Sequence, residues 1–90
     1  MYEWDERKWA ANLKDHRVDF AAAWDFDWET ALVVVDDRED YGELREVALG
    51  FVGARLHVMI FTRRADNIRI VSLRKAHRTE ARRYVEATKR

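Results

Sequence analysis

The sequence predicts an α+β fold in a single domain spanning residues 1–90. Three observations predict it. Helix-type patterning near the start changes at Thr30 to β-type runs, glycine- or asparagine-bearing turns then cut those runs at short intervals, and an amphipathic tail closes the chain. Ninety residues with 48% hydrophobic side chains supply one core and no more.

Taken in order, Asp5 is a good N-cap, and in "ERKWAANLK" the residues Trp9, Ala10 and Leu13 form an apolar stripe, which predicts a helix over 5–14. "DHRV" interrupts it. Asp19 caps a second short helix, "FAAAWDF", with Val18 and Ala23 placed as a hydrophobic staple. "TALVVV" is a β-branched run that ends in the acidic loop "DDREDYG". "LREVALGFV" alternates Leu44, Val47, Leu49 and Phe51 as a strand with one buried face. Gly53-Ala54 turns the chain into "RLHVMIFTRR", and "ADN" turns it into "IRIVSLRK". The spacing therefore predicts about four antiparallel strands. In the tail to Arg90, Ala81, Tyr84, Val85 and Thr88 share one helical face, too little to cover a whole sheet, so part of the second sheet face is expected to stay wet.

Composition narrows function. With no cysteine there is no disulfide, thiolate metal site or Cys nucleophile, and a reducing compartment fits. The apolar runs are far too short to span a membrane, and the charged start lacks a leader's apolar region, so a soluble, cytoplasmic protein is expected. Net charge is zero, yet residues 1–52 carry 6 Lys and Arg against 14 Asp and Glu, whereas residues 53–90 carry 11 against 3. The basic part is a candidate polyanion footprint. Part of it must neutralise the acidic part across the fold.

"YEWD", "NLKDHRVDF", "DDR" at 36–38, Glu43 and Arg45 ahead of Gly50, and "IRIVSLRKA" followed by Glu80 and Tyr84 occur in an order that resembles the BrnT family over nearly the whole chain. The resemblance implies a RelE-like fold and a ribonuclease toxin of a type II toxin-antitoxin pair that inhibits translation. It also implies a BrnA-like ribbon-helix-helix antitoxin as partner, operator DNA contacted only through that antitoxin, and a heterotetramer that could hold a toxin homodimer. Three positions depart from the family pattern. Glu6 stands for a proline, Asp15 for a lysine beside His16, and His77 for a threonine that would complete a capping box with Glu80.

Metal-independent RNA cleavage needs a group to take the 2′-hydroxyl proton, cations to hold the phosphoryl charge, and support for the leaving oxygen. Arginine suits the second role, because its planar fork binds phosphate oxygens in pairs and stays charged. Arg45, Arg74 and Lys75 are the catalytic candidates, with Glu43 as a base that neighbouring cations would weaken. Arg69, His16 and Tyr84 are the RNA-binding candidates. Each has a plain structural alternative. The strand cations could be exposed sheet residues or partners for Asp36, Asp37 and Glu39; Glu43 could pair with Arg45; His16 could stabilise the end of a helix; Tyr84 could anchor the last helix. His57 reads as a satisfied sheet position, and the four tryptophans, in the acidic part, as core or partner surface. No cofactor is expected, and no histidine spacing suggests a metal. The rival reading is a non-enzymatic interaction module that docks one partner on the basic segment and another on the loop 36–40; a third reading is an inactive co-repressor subunit.

Overall fold

The structure, a computed structural model, describes residues 1–89 and is built on a five-stranded mixed sheet. Its elements are β1 (Tyr2–Trp4), α1 (Glu6–His16), a 3-10 helix (Phe20–Asp25), β2 (Leu32–Asp36), β3 (Arg45–Val52), β4 (Arg55–Arg64), β5 (Asn67–Lys75) and α2 (Arg78–Thr88). The strand order is β1-β5-β4-β3-β2. The four antiparallel strands expected from the pattern are present. The sequence reading missed β1, which runs parallel to β5 with Tyr2, Glu3 and Trp4 beside Ile68, Arg69 and Ile70. Three residues that look like a helix's lead-in carry no period of their own, so only the sheet edge they meet makes them a strand. The second helix is a 3-10 turn, and Arg90 lies outside the described residues.

Both helix starts follow the sequence logic. The Asp5 carboxylate accepts from the Arg7 and Lys8 amides, and Asp19 accepts from Ala21 and from the Trp9 indole. At α2 the glutamate half of the capping box forms without threonine, the His77 amide donating to Glu80 Oε1 at 2.8 Å.

One face of the sheet is covered and the other only in part, as expected from the short last helix. On one, Val18, Phe20, Ala23 and Phe26 pack on Ala48, Met59, Phe61, Ile70 and Leu73, with Trp4, Trp9 and Trp28 at the margin. On the other, Tyr84 of α2 closes over Leu49, Leu56, Val58 and Phe51. Strand β3 is thus buried on both sides, and Leu44, read as part of it, lies ahead of it and exposed. Val85, expected on the inner face of α2, points to solvent. Tyr84 is the buried anchor of α2: its hydroxyl donates to the Thr30 carbonyl at 2.7 Å and its ring meets Phe51 edge-on.

One extra residue sets the phase of β5. Ser72 stands opposite Ile60 and Ile70 opposite Phe61, so Val71 is a bulge. Before it Ile68 and Ile70 face α1; after it Leu73 does. Arg69 and Arg74, five residues apart, thereby share the α2 face. Where β1 ends, the buried side chain of Asn12 continues the sheet edge. Its Oδ1 accepts from the Leu73 amide, and its Nδ2 donates to the carbonyls of Leu73 and Val18. The apolar stripe drawn for α1 omitted this residue, whereas Leu13 is partly exposed.

Two stability outcomes follow. Asn12→Ala strands a buried amide and two carbonyls, and a urea melt should show a loss of about 2 kcal/mol. Gly50→Ala would place a methyl 2.5 Å from Phe26 Cζ, so a loss of about 1 to 3 kcal/mol is expected from forced repacking.

Candidate active-site cleft

Because α2 covers only one end of its sheet face, a cleft of about 330 Å³ remains between its first turns and the loop that follows β2. Its floor is aliphatic, with Val34, Val47, Ile60 and Val58 contributed by three strands. Arg38, Arg74 and Arg83 line it, together with the carboxylates Asp36 and Glu80. A second, shallower depression lies behind the sheet, between His16, Asp15 and Lys8 of α1 and the bulge residues Val71 and Ser72.

Arg74 rises from β5 opposite Val58 and is gripped at both ends of its fork by Glu80, at 2.8 and 2.7 Å. Glu80 also accepts from the His77 amide, so the start of α2 holds this carboxylate in place. The Arg74 fork, then the His77 amide, push Glu80 down to about 2, and the same pair raises Arg74. Asp36 ends β2 with its side chain buried; hydrogen bonds from Arg38 at 2.7 and 2.8 Å hold its carboxyl below the usual range. Arg38 in turn presses as a like charge on Arg74.

Arg45 sits beside the cleft under different conditions. Its guanidinium lies over the Tyr41 ring at 4.0 Å, its Nε is buried without a hydrogen-bond partner, and among the described residues no carboxylate is within ion-pair distance of it. The register places it across from Asp36 and, one residue beyond Glu46 and Phe61, next to Thr62, whose buried hydroxyl is also unpartnered. A half-buried cation on an aromatic face is partly compensated by the ring. Its charge is otherwise free.

The other sequence candidates scatter. Lys75 follows Arg74, so pleat alternation sends it to the α1 face, where it is exposed. Glu43 was expected on a strand with Arg45; it lies in the preceding loop and pairs with Arg64 at 3.3 Å. Arg69 shares the face of Arg74 but is bound by Glu3 of β1 at 2.7 Å. His16 ends α1 beside the rear depression, and buried Tyr84 has no ring face to offer a base. His57 is buried in β4 with Nδ1 2.8 Å from the Arg55 carbonyl. Arg38, Asp36, Arg83 and Glu80 are cleft residues outside the set that the sequence pointed to. "DDR" and the Glu80–Arg83 helical spacing were the available signals. Among the described residues no three His, Cys, Asp or Glu side chains gather as a metal site, and no helix is long and apolar enough to cross a membrane.

The family model described as the ribonuclease toxin, BrnT, of type II toxin-antitoxin systems matches residues 4–80. No curated protein matches the chain. The matched region takes in Arg38, Arg45, Arg74 and Glu80 and stops short of Arg83.

Acid should unlock the cleft. Glu80 is lowered to about 2 from 4.5, so its contribution to stability is complete above about pH 4.5 and is lost as pH falls toward 2. Thermal melts from pH 6 to 2.5 should show that loss, and Glu80→Gln should be less stable at pH 6 with a flatter acid limb.

Proposed function

The chain belongs to the BrnT family of ribonuclease toxins of type II toxin-antitoxin systems, and from that premise we propose that it is a metal-independent RNA endonuclease acting at the cleft between α2 and the loop after β2. The observation that carries this reading is the gathering of Arg38, Arg74 and Arg83 along one aliphatic-floored groove, with Arg45, stacked on Tyr41 and paired with no carboxylate among the described residues, at its side. In this reading the 2′-oxygen attacks the adjacent phosphorus and the bond to the 5′-oxygen breaks, leaving a cyclic phosphate and a 5′-hydroxyl. The 2′ proton leaves to water or to a cleft carboxylate, and water returns one to the 5′-oxygen.

A carboxylate held near 2 is a weak base. The rate enhancement is therefore assigned chiefly to guanidinium groups facing the pentavalent phosphoryl charge. Glu80 then has a positioning role: it fixes the Arg74 fork and shares it with an incoming phosphate.

The finer features go with the same proposal. An antitoxin partner comes with the type II family; its ribbon-helix-helix class, indirect contact with operator DNA, a toxin homodimer within a heterotetramer and a cytoplasmic setting are our assignments. So is the RelE-like class of the fold, supported by the antiparallel run β5-β4-β3-β2 with a helix after it. The interaction-module reading draws on one feature: Arg74 and Arg69 are already neutralised within the chain. Purified protein that leaves single-stranded RNA intact at every concentration, with and without chelator, would favour it.

Arg74→Ala and Arg38→Ala should each lower RNA cleavage by about 100-fold or more and abolish growth arrest, while circular dichroism stays native. Lys75→Ala should leave cleavage close to wild type, because its side chain is on the far face. Full activity in both arginine variants, or loss in Lys75→Ala alone, would move the site away from this cleft.

A further inference from the structure

Strand β2 is paired on one side only. Val33, Val34 and Val35 are 37%, 48% and 54% exposed, so both faces and the outer backbone edge of this segment are open. Edge strands ordinarily carry lysine, proline or a bulge that discourages pairing. This one has three consecutive β-branched apolar residues and no such device. The opposite edge differs: β1 is only three residues long and carries Glu3 at its centre.

Charge around the open edge selects the occupant. Asp27 and Glu29 precede it, and Asp37, Glu39 and Asp40 follow it, all exposed. Among exposed charges from 27 to 40 the one cation is Arg38, already given to Asp36. A second copy added antiparallel about Val34 would set Glu29 against the copy's Glu39 and bring two acidic clusters together. A segment with β-branched residues in its middle and Lys or Arg at both ends meets the opposite field and the apolar edge at once.

We propose that the β2 edge is the docking site for an extended, basic-flanked segment of the antitoxin, which adds to the sheet as a sixth strand. The proposal rests on the antitoxin partner that belongs to the type II reading. Main-chain hydrogen bonds along Leu32–Asp36 supply the pairing, and the exposed valines supply the apolar contact. The flanking carboxylates set direction and register. Because the charged contacts are at the surface, the association weakens with salt.

The test is amide hydrogen exchange on the purified chain, alone and with the protein encoded by the neighbouring reading frame. The outward-pointing amides within 32–36, which β3 does not already bond, should slow at least about tenfold in the complex, as new strand pairing removes them from water. Val33→Lys, on the sheet face away from the cleft and at a position an edge strand accommodates without unfolding, should weaken the complex at least about tenfold and leave the RNA cleavage of the free protein unchanged. A complex whose 32–36 amides exchange as in the free chain, or one indifferent to Val33→Lys, overturns the docking site and leaves the partner reading standing. Failure to form any complex overturns both.

Discussion

A single inserted residue in β5 determines which face of the sheet carries Arg74. With an uninterrupted pleat, Ile68, Ile70, Ser72 and Arg74 would share one face, and Arg74 would be driven into the α1 core. The bulge at Val71 moves Leu73 onto that core instead and turns Arg74 to the opposite face, alongside Arg69. A bulge also breaks the ladder it sits in. Here β1 stops at the bulge, and Asn12 takes over with three hydrogen bonds to the backbone around Leu73 and Val18. The α1 helix is therefore part of the device that aims the cleft, although it lies on the other side of the sheet.

The division of the sequence into an acidic and a basic part is resolved in part by pairing at strand borders. Glu3 holds Arg69, Glu46 holds Arg63, and Glu43 holds Arg64, each pair joining the first part of the chain to the second. Such partly exposed pairs add little stability. Their larger consequence is subtraction. Three cations of the basic part leave the polyanion footprint, and what remains near the cleft is Arg38, Arg74 and Arg83, two of them shared with carboxylates, plus Arg45 on its tyrosine. A gripped arginine is prepositioned, and a phosphate has to compete for it. The free Arg45 has the opposite balance, with no competitor and a desolvation cost already met in the fold.

The elements with strong periods were legible: both α-helices and the four strands after Thr30 follow from alternation and turn residues, and Asp5 and Asp19 cap where their chemistry says they should. What escaped was set by tertiary context. β1 is a strand only because β5 offers it an edge, and Asn12 looks like a polar interruption until the unpaired Leu73 backbone is beside it. The bulge did leave a trace. Apolar residues at 68, 70 and 73 break a strict period of two, and that gap separates Arg74 from Lys75 by face. Reading "LRK" as a contiguous cationic end ignored the pleat. The loop 37–44 hid the rest, since its length carries Glu43 off the strand and returns Arg38 and Tyr41 toward Asp36.

Strand β2 links the two proposed surfaces. Its inner-face residues Leu32 and Val34 line the cleft, its outer edge is the open one, and its last residue, Asp36, anchors Arg38 at the cleft's lip. A strand laid along that edge would continue the sheet past the cleft floor and stiffen the segment that carries Arg38, while its own side chains on the α2 face would project beside the groove. Binding a partner at an edge and closing a site on the adjoining face would then need no conformational change in the toxin. The pleat alone delivers alternate residues of the added strand to the cleft, and basic flanks would draw it toward the carboxylates that surround Arg38. Neutralisation in this arrangement is a matter of geometry: the strand that the exposed valines recruit is the strand positioned to cover the arginines.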